Sequence, residues 1–344
     1  MARSKPPITP LHALSPDVLS DTFAVLVERT RSQTRDGKPF YTCRFRDKLR
    51  TVTCMIWADS PWFAACEKEW KEGTCYKLRV IYGEHSRYGP QIEIHNIREA
   101  TSADREDGFD PAQLVESSRF DPAAMFAELR SLAEKEIASL PLRRLVMTIL
   151  ERHRDRLLIL PASDRHYPFC GGWLEHVLSV TRVCIRLADL YLAHYSGSRP
   201  PLNRDLVIAG AILHDIGRVL ELGDEPIQPQ PTVPGRLFGH LLLGRDLVHQ
   251  TAAELGDIPA DVLLLLEHII VAHLALPEWG STRLPMIPEV LLIHHADDLD
   301  AKLETYLRCL ERDVNPGPFT ARDPLINKPL LKERPDLASP PSEA

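Results

Sequence analysis

The sequence predicts a chain of two structural classes, a small antiparallel β-barrel followed by an all-α helical bundle. Three observations lead there. The length of 344 residues, at about 150 per domain, suggests two domains, each large enough to bury a core. Up to Ala100 the apolar residues fall in short, alternating β-branched and aromatic runs, and beyond it they recur at helical spacing. The net charge of −7 also divides unevenly: residues 21–100 hold 14 Lys+Arg and 11 Asp+Glu, a net +3, so the remainder carries −10.

In the first half, Phe23–Glu28, Phe40–Arg46, Thr51–Trp57, Cys75–Tyr82 and Pro90–His95 read as strands. Asp36-Gly37 marks a turn, and Gly73 and Gly89 punctuate the later runs. The stretch Trp62–Lys71 is helical in pattern and lies between the third and fourth strands. Five strands with a helix after the third is the order of an OB-fold barrel. Arg29 to Arg50 contains eight basic residues against two acidic ones, with aromatic residues interleaved. Arg44, Arg46 and Lys48 are therefore candidates for phosphate contact, and Phe40, Trp57 and Tyr88 for base stacking, the combination that holds single-stranded nucleic acid. The competing reading makes the aromatics barrel core and the charges a solvated face.

Composition excludes several classes. An apolar share of 44% and a charged share of 26% are those of an ordinary soluble globular protein. The longest apolar stretch, Val262–Leu276, is interrupted by Glu267, His268 and His273, so no membrane span is expected. The first residues lack the apolar core of a signal peptide. Seven cysteines without a CxxC pair read as reduced thiols of a cytoplasmic chain. Cys43 and Cys54 could meet across neighbouring strands, although buried apolar use suits them better.

Domain boundaries follow from these shifts: an extension over 1–20, the barrel over 21–100, a connector over 101–120, a helical domain over 121–325 and a Pro-rich tail over 326–344. Thr101–Asp110, with five charged residues in ten, reads as an exposed hinge. Helical periodicity covers Met125–Leu140, Leu142–Leu157, Trp173–Tyr195, Asp205–Leu222, Gly239–Leu255, Ala260–Leu274 and Pro288–Arg312.

The helical half carries an ordered histidine and aspartate set: His176, His214-Asp215, His240, His268, His273 and Asp297. Imidazole nitrogen with carboxylate oxygen suits Mn, Fe, Co, Ni or Zn, and the lack of thiolate argues against a structural zinc site. Facing helices of a bundle are a common frame for a two-metal centre. A single histidine in such a protein is usually a surface or satisfied core residue, and His153, His194 and His249 are read that way. Asp215 is different. It sits in the apolar run Val207-Ile-Ala-Gly-Ala-Ile-Leu-His-Asp, and burying an ionised carboxylate is costly unless a cation or hydrogen bonds compensate.

His176 with His214-Asp215 and the distant Asp297 resembles the H…HD…D pattern of HD-domain metal-dependent phosphohydrolases. The likeness extends to Gly171-Gly-Trp-Leu-Glu-His176, Leu213-His-Asp-Ile-Gly-Arg218, Gly235-Arg-Leu-Phe-Gly-His240, Glu278-Trp-Gly-Ser281 and Asp297-Asp-Leu-Asp-Ala-Lys302. Together with a preceding OB-fold, these resemble the YhaM-type 3′–5′ exoribonucleases over roughly residues 20–330. The resemblance implies metal-dependent trimming of single-stranded RNA, with DNA as an alternative substrate. It implies a first metal on His176, His214, Asp215 and Asp297, and a second on His240, His268 and His273 with Asp215 bridging. Manganese comes first among the metals, before Mg, Co, Fe, Ni and Zn. His268 and His273 stand about 140° apart around a helix, so one of them would act from behind the ligands. The chain departs from the family where a histidine pair becomes His273-Leu274 and where Arg218 takes a lysine position. It departs again where Asp164-Arg-His-Tyr leaves His166 as that stretch's imidazole, assigned to strand contact, and where Asp47-Lys-Leu-Arg-Thr replaces an Asp-x-Thr-Gly turn. The mechanism implied has Asp215 at the reacting water and Arg218 and Lys302 neutralising the phosphate's non-bridging oxygens. Two alternatives stay open, an HD phosphohydrolase acting on small nucleotides and a non-catalytic single-strand-binding adaptor. Oligomeric state is open too, a homo-oligomer being among the options.

Overall fold

A computed structural model describes residues 6–34, 36–85, 89–224, 229–313, 315–323 and 325–333. Tyr88 and the tail beyond residue 333 lie outside the described residues. The chain divides into two compact units, Met1–Ser117 with Asp224–Gln230, and Ser118–Gly223 with Pro231–Ala344.

The first unit contains strands β1 (Leu19–Gln33), β2 (Pro39–Arg46), β3 (Thr51–Trp57), β4 (Cys75–His85) and β5 (Gly89–Glu99), with helix α1 (Phe63–Lys68) after β3. They close into a barrel in the order β1-β2-β3-β5-β4, the OB-fold order. β1 is much longer than the run that predicts it, because it serves two neighbours. Its first half, Leu19–Val25, pairs with β4, and from Val25 on it pairs with β2, across a bulge between Leu26 and Glu28. Alternation then sorts the side chains. Tyr41, Cys43 and Phe45 of β2 and Val52, Cys54 and Ile56 of β3 point into the core, where Leu26, Tyr76, Leu78 and Tyr82 join them. Cys43 and Cys54 are register partners, but the Cys43 sulfur lies 3.5 Å from that of Cys66 on α1, and all seven cysteines are free thiols.

Thr101–Asp110 is largely exposed, but two of its side chains anchor it to the barrel. Phe109 lies 5.0 Å from Phe23, and Asp104 is buried. Asp104 accepts hydrogen bonds from Arg98 (2.7 Å) and Thr101 N (2.9 Å) and pairs with Lys77 at 3.3 Å.

The second unit is helical: α2 (Pro122–Glu136), α3 (Leu140–Arg152), α4 (Arg154–Leu157), α5 (Gly172–His194), α6 (Arg204–Leu213), α7 (Arg218–Glu221), α8 (Val233–Leu255), α9 (Ala260–Ala272) and α10 (Pro288–Arg312). α6 buries every apolar side chain it carries and α5 most of those in its first half, and α9 and α10 pack on them. One expected helix, Asp205–Leu222, is broken, and another, Gly239–Leu255, is continued backwards to Val233 across a break at its expected start; both breaks matter for the site. The run over 205–222 ends at Leu213 and resumes at Arg218, because Ile216 N and Arg218 N bond three residues back, to Leu213 O and Asp215 O. α8 is interrupted at Gly239 (φ 68°, ψ 167°), a conformation open essentially to glycine.

Candidate metal centre

The two breaks bring Asp215 and His240 together. Gly217 lies so close to the α8 backbone that a Cβ there would fall 1.9 Å from His240 O, so only glycine allows this approach. The break at Gly239 frees the His240 N–H, which donates to Glu221 Oε1 at 3.2 Å. His176 comes from the second turn of α5, His214 from the end of α6, His273 from the end of α9 and Asp297 from the middle of α10. All four are buried, as is Asp215.

Each imidazole has its outer nitrogen tied down. His214 Nδ1–H donates to Ala211 O at 2.8 Å, and His273 Nδ1–H to Ile270 O at 2.9 Å. His176 Nδ1–H donates to Asp300 Oδ2 at 2.8 Å, and His240 Nδ1–H reaches Glu221 Oε1 at 3.4 Å. The carbonyl acceptors fix the tautomers of His214 and His273 and turn their Nε2 lone pairs inward, while His176 and His240 have a carboxylate at each ring nitrogen. Inside, the Nε2 atoms meet carboxylates. His176 Nε2 is 3.1 Å from Asp297 Oδ1, His240 Nε2 is 3.2 Å from Asp215 Oδ1, and His273 Nε2 is 3.8 Å from the same oxygen. The Nε2 atoms of His166, His176, His214, His240 and His273 are all buried without a hydrogen-bond partner among the described residues. Acceptor facing acceptor in a buried chamber is unfavourable unless a cation stands between them. Three groups have their ligand atoms within 4.8 Å of one another: His176, His214 and Asp215; His214, His273 and Asp297; Asp215, His240 and His273.

The electrostatics point the same way. Burial opposes the Asp215 carboxylate, yet Arg218, His240, His214 and His273 hold its pKa well below the ordinary value. Asp297 is lowered too, against burial, chiefly by His176 and His214. Burial disfavours an imidazolium at His176, but Asp297 and Asp300 outweigh it and push its pKa up to about 10. Burial, with His214 beside it, pulls His273 down to about 4. The chamber calls for positive charge.

Four further residues expected at the site, one metal ligand, two phosphate contacts and one strand contact, are placed as follows. His268 is not brought to the chamber. Its Nε2 accepts the Met286 N–H at 3.0 Å, so its lone pair is used, and the residue borders a separate surface groove with Phe238, Leu242 and Leu264. Lys302 is exposed on α10 and pairs with Asp298 at 2.7 Å, away from the lone pairs. Arg218 does line the chamber: its Nε is 3.5 Å from Asp215 Oδ2 and its Nη1 donates to Glu221 Oε2 at 2.6 Å. His166, assigned from sequence to strand contact, sits instead beside His176 with ring centroids 5.0 Å apart. Asp300 and Glu221 were missed in the sequence. Asp300 accepts from His176 and Ser179, and its signal was its place three residues after Asp297 on one helix face. Glu221 stands three residues after Arg218 in the same way.

On the barrel, Phe40 and Trp57 are register partners whose rings lie 5.0 Å apart, and Trp57 is 46% exposed. Arg44 pairs with Glu28 at 3.3 Å, Arg46 with Glu116 at 3.8 Å, and Lys48 is exposed. No helix among the described residues is long and apolar enough to cross a membrane.

Comparison with known proteins gives a consistent result. The HD domain family model matches residues 173–302, which include His176, His214, Asp215, His240, His273 and Asp297. A 3′-5′ exoribonuclease YhaM from Halalkalibacterium halodurans is 31% identical over 323 residues, 93% of this chain and 94% of that protein. The protein of the same name from Bacillus subtilis (strain 168) is 30% identical over 316 residues, 91% of this chain and 93% of that protein. A domain of replication protein A from Methanococcus maripaludis matches 27% of this chain and 93% of its own, at 13% identity and a TM-score of 0.22; the OB-fold rests on the barrel's own strand order. The chain belongs to the YhaM 3′-5′ exoribonuclease family.

Proposed function

We propose that this chain is a metal-dependent 3′–5′ exoribonuclease that removes nucleoside 5′-monophosphates one at a time from single-stranded RNA. The observation that carries the proposal is the chamber in which the buried Nε2 atoms of His176, His214, His240 and His273 converge on the carboxylates of Asp215 and Asp297. His176, His214, Asp215 and Asp297 would hold one divalent ion, and His240 and His273 would hold a second that shares Asp215. Manganese is the first choice, and ions at such a centre supply Lewis acidity for hydrolysis of a phosphodiester.

The chain's own groups do the rest. Water adds to the phosphorus of the terminal linkage, the bond to the penultimate O3′ breaks, and that oxygen leaves protonated as the new 3′-hydroxyl. Arg218 is held from both sides by Asp215 and Glu221, which aims a guanidinium at the non-bridging oxygens. Glu221 holds both Arg218 and His240, so it fixes the phosphate clamp and one ligand together. On the barrel, Phe40 and Trp57 offer faces for bases, and Arg44 and Lys48 offer charge for the backbone.

The test is incubation of the full chain with 5′-labelled single-stranded RNA and Mn²⁺. Stepwise shortening from the 3′ end is expected, and Asp215→Asn should slow it by about 10³-fold, or about 4 kcal/mol. No shortening with any divalent ion, or turnover of free nucleotides while RNA stays intact, would refute the reading.

A further inference from the structure

We infer that His166 is a further ligand of the ion held by His176, contributed by the loop that precedes α5. The inference rests on the metal reading above and adds to it a residue outside the H…HD…D set. Of the rings around His176, that of His166 is nearest, at 5.0 Å between centroids, against 5.5 Å for both Tyr167 and His214. His214 and His273, which share a tight group, are 4.9 Å apart. Two imidazoles bound to one ion through nitrogens about 2.1 Å from it place their centroids about 5 Å apart. His166 and His176 have that separation.

One ring nitrogen of His166 also lacks a partner. The Ser163 hydroxyl lies 3.1 Å from His166 O and 3.1 Å from His166 Nδ1, and accepts the N–H groups of Arg165 (3.1 Å) and His166 (3.0 Å). These contacts hold one side of the ring, and Nε2 on the other side is buried without a hydrogen-bond partner among the described residues. The loop has little freedom to move. Ala162 N–H donates to Tyr167 O at 3.1 Å, and a Cβ on Gly172 would fall 2.1 Å from that same Tyr167 O, so the loop backbone rests on the first turn of α5, the helix that carries His176.

His166 is in none of the three tight groups, so it would join the ion from outside them. An added imidazole shifts preference from Mg²⁺ toward Mn²⁺, Fe²⁺, Co²⁺, Ni²⁺ and Zn²⁺.

The experiment compares metal-stripped full-length wild type, His166→Ala and His268→Ala. Mn²⁺ binding is followed by calorimetry and Co²⁺ binding by visible absorption, with metal-free melting as the check on folding. His166→Ala should weaken Mn²⁺ binding at least about tenfold and alter the Co²⁺ bands, while His268→Ala does neither. If the alanine variant melts lower without metal, His166→Asn, which can keep the Ser163 contact, carries the comparison. Wild-type affinity in the His166 variant, or weaker binding with an unchanged Co²⁺ spectrum (the mark of contact through water), would overturn the inference alone. A wild-type chain that takes up no divalent ion would overturn the metal reading and this proposal with it.

Discussion

Both units bury carboxylates, and they treat them in opposite ways. In the barrel unit each has its donors. Asp21 takes Arg79 at 2.6 and 2.9 Å. Asp47 takes Leu49 N, Arg50 N and His12 N between 2.8 and 2.9 Å, and Asp104 takes Arg98 and Thr101. In the helical unit, Glu175 accepts from Ser118 at 2.6 Å and Glu289 from Asn203 N at 2.7 Å, so these too are satisfied. Asp215 and Asp297 are the contrast: each is crowded by buried imidazole Nε2 atoms from several helices, and Asp215 has the Arg218 guanidinium 3.5 Å away as well. The difference separates carboxylates that hold a fold from carboxylates that await a cation, and it does so without reference to any motif.

The comparison can be broken in three places. The largest effect belongs to Asp300, which holds Nδ1 of His176 but lies outside the chamber. Asp300→Ala should weaken divalent metal binding by about 10- to 100-fold, measured by calorimetry, with little change in metal-free melting. An unchanged affinity would mean that His176 does not depend on that partner. Next comes the barrel face. Trp57→Ala should weaken binding of single-stranded RNA by about tenfold, at the lower end of the loss expected for one stacking platform, and raise KM with kcat preserved. A loss in kcat instead would place Trp57 in the chemistry rather than in strand capture.

The smallest effect tests a satisfied carboxylate. Arg98, with Thr101 and Lys77, holds Asp104 well below the usual carboxylate range despite its burial. A depressed pKa gives stability that is present above the unfolded value of about 3.9 and lost as pH falls through the folded value. Asp104→Asn should therefore lower the melting temperature near pH 7, by the same amount with or without Mn²⁺. Wild type and variant should converge on acidification below about pH 4. A Mn²⁺-dependent difference, or one that persists in acid, would remove Asp104 from the structural class.

Much of this was legible in the sequence, for local reasons. Tyr41, Cys43 and Phe45 announce their inward face by alternation, and the helical period after residue 120 announces a bundle. The readings failed where distant groups decide the outcome. Asp104 looked solvated like the rest of 101–110 because nothing in the sequence pairs it with Arg98 and Lys77. The spacing of His268 and His273 said that one would stand behind the ligands but not which, and the backbone N–H of Met286 takes up His268. His166 read as a strand contact, and the loop folds it against His176 instead.

The sequence by itself determined the two fold classes, the order of the strands and the residue types of the centre, because periodicity and side-chain chemistry are local properties. Which nitrogens face inward was decided by the tertiary structure alone. An imidazole is turned by the partner of its other ring nitrogen. For His176 that partner is Asp300, 124 residues away, and for His240 it is Glu221, reached only because Gly217 lets two backbones touch.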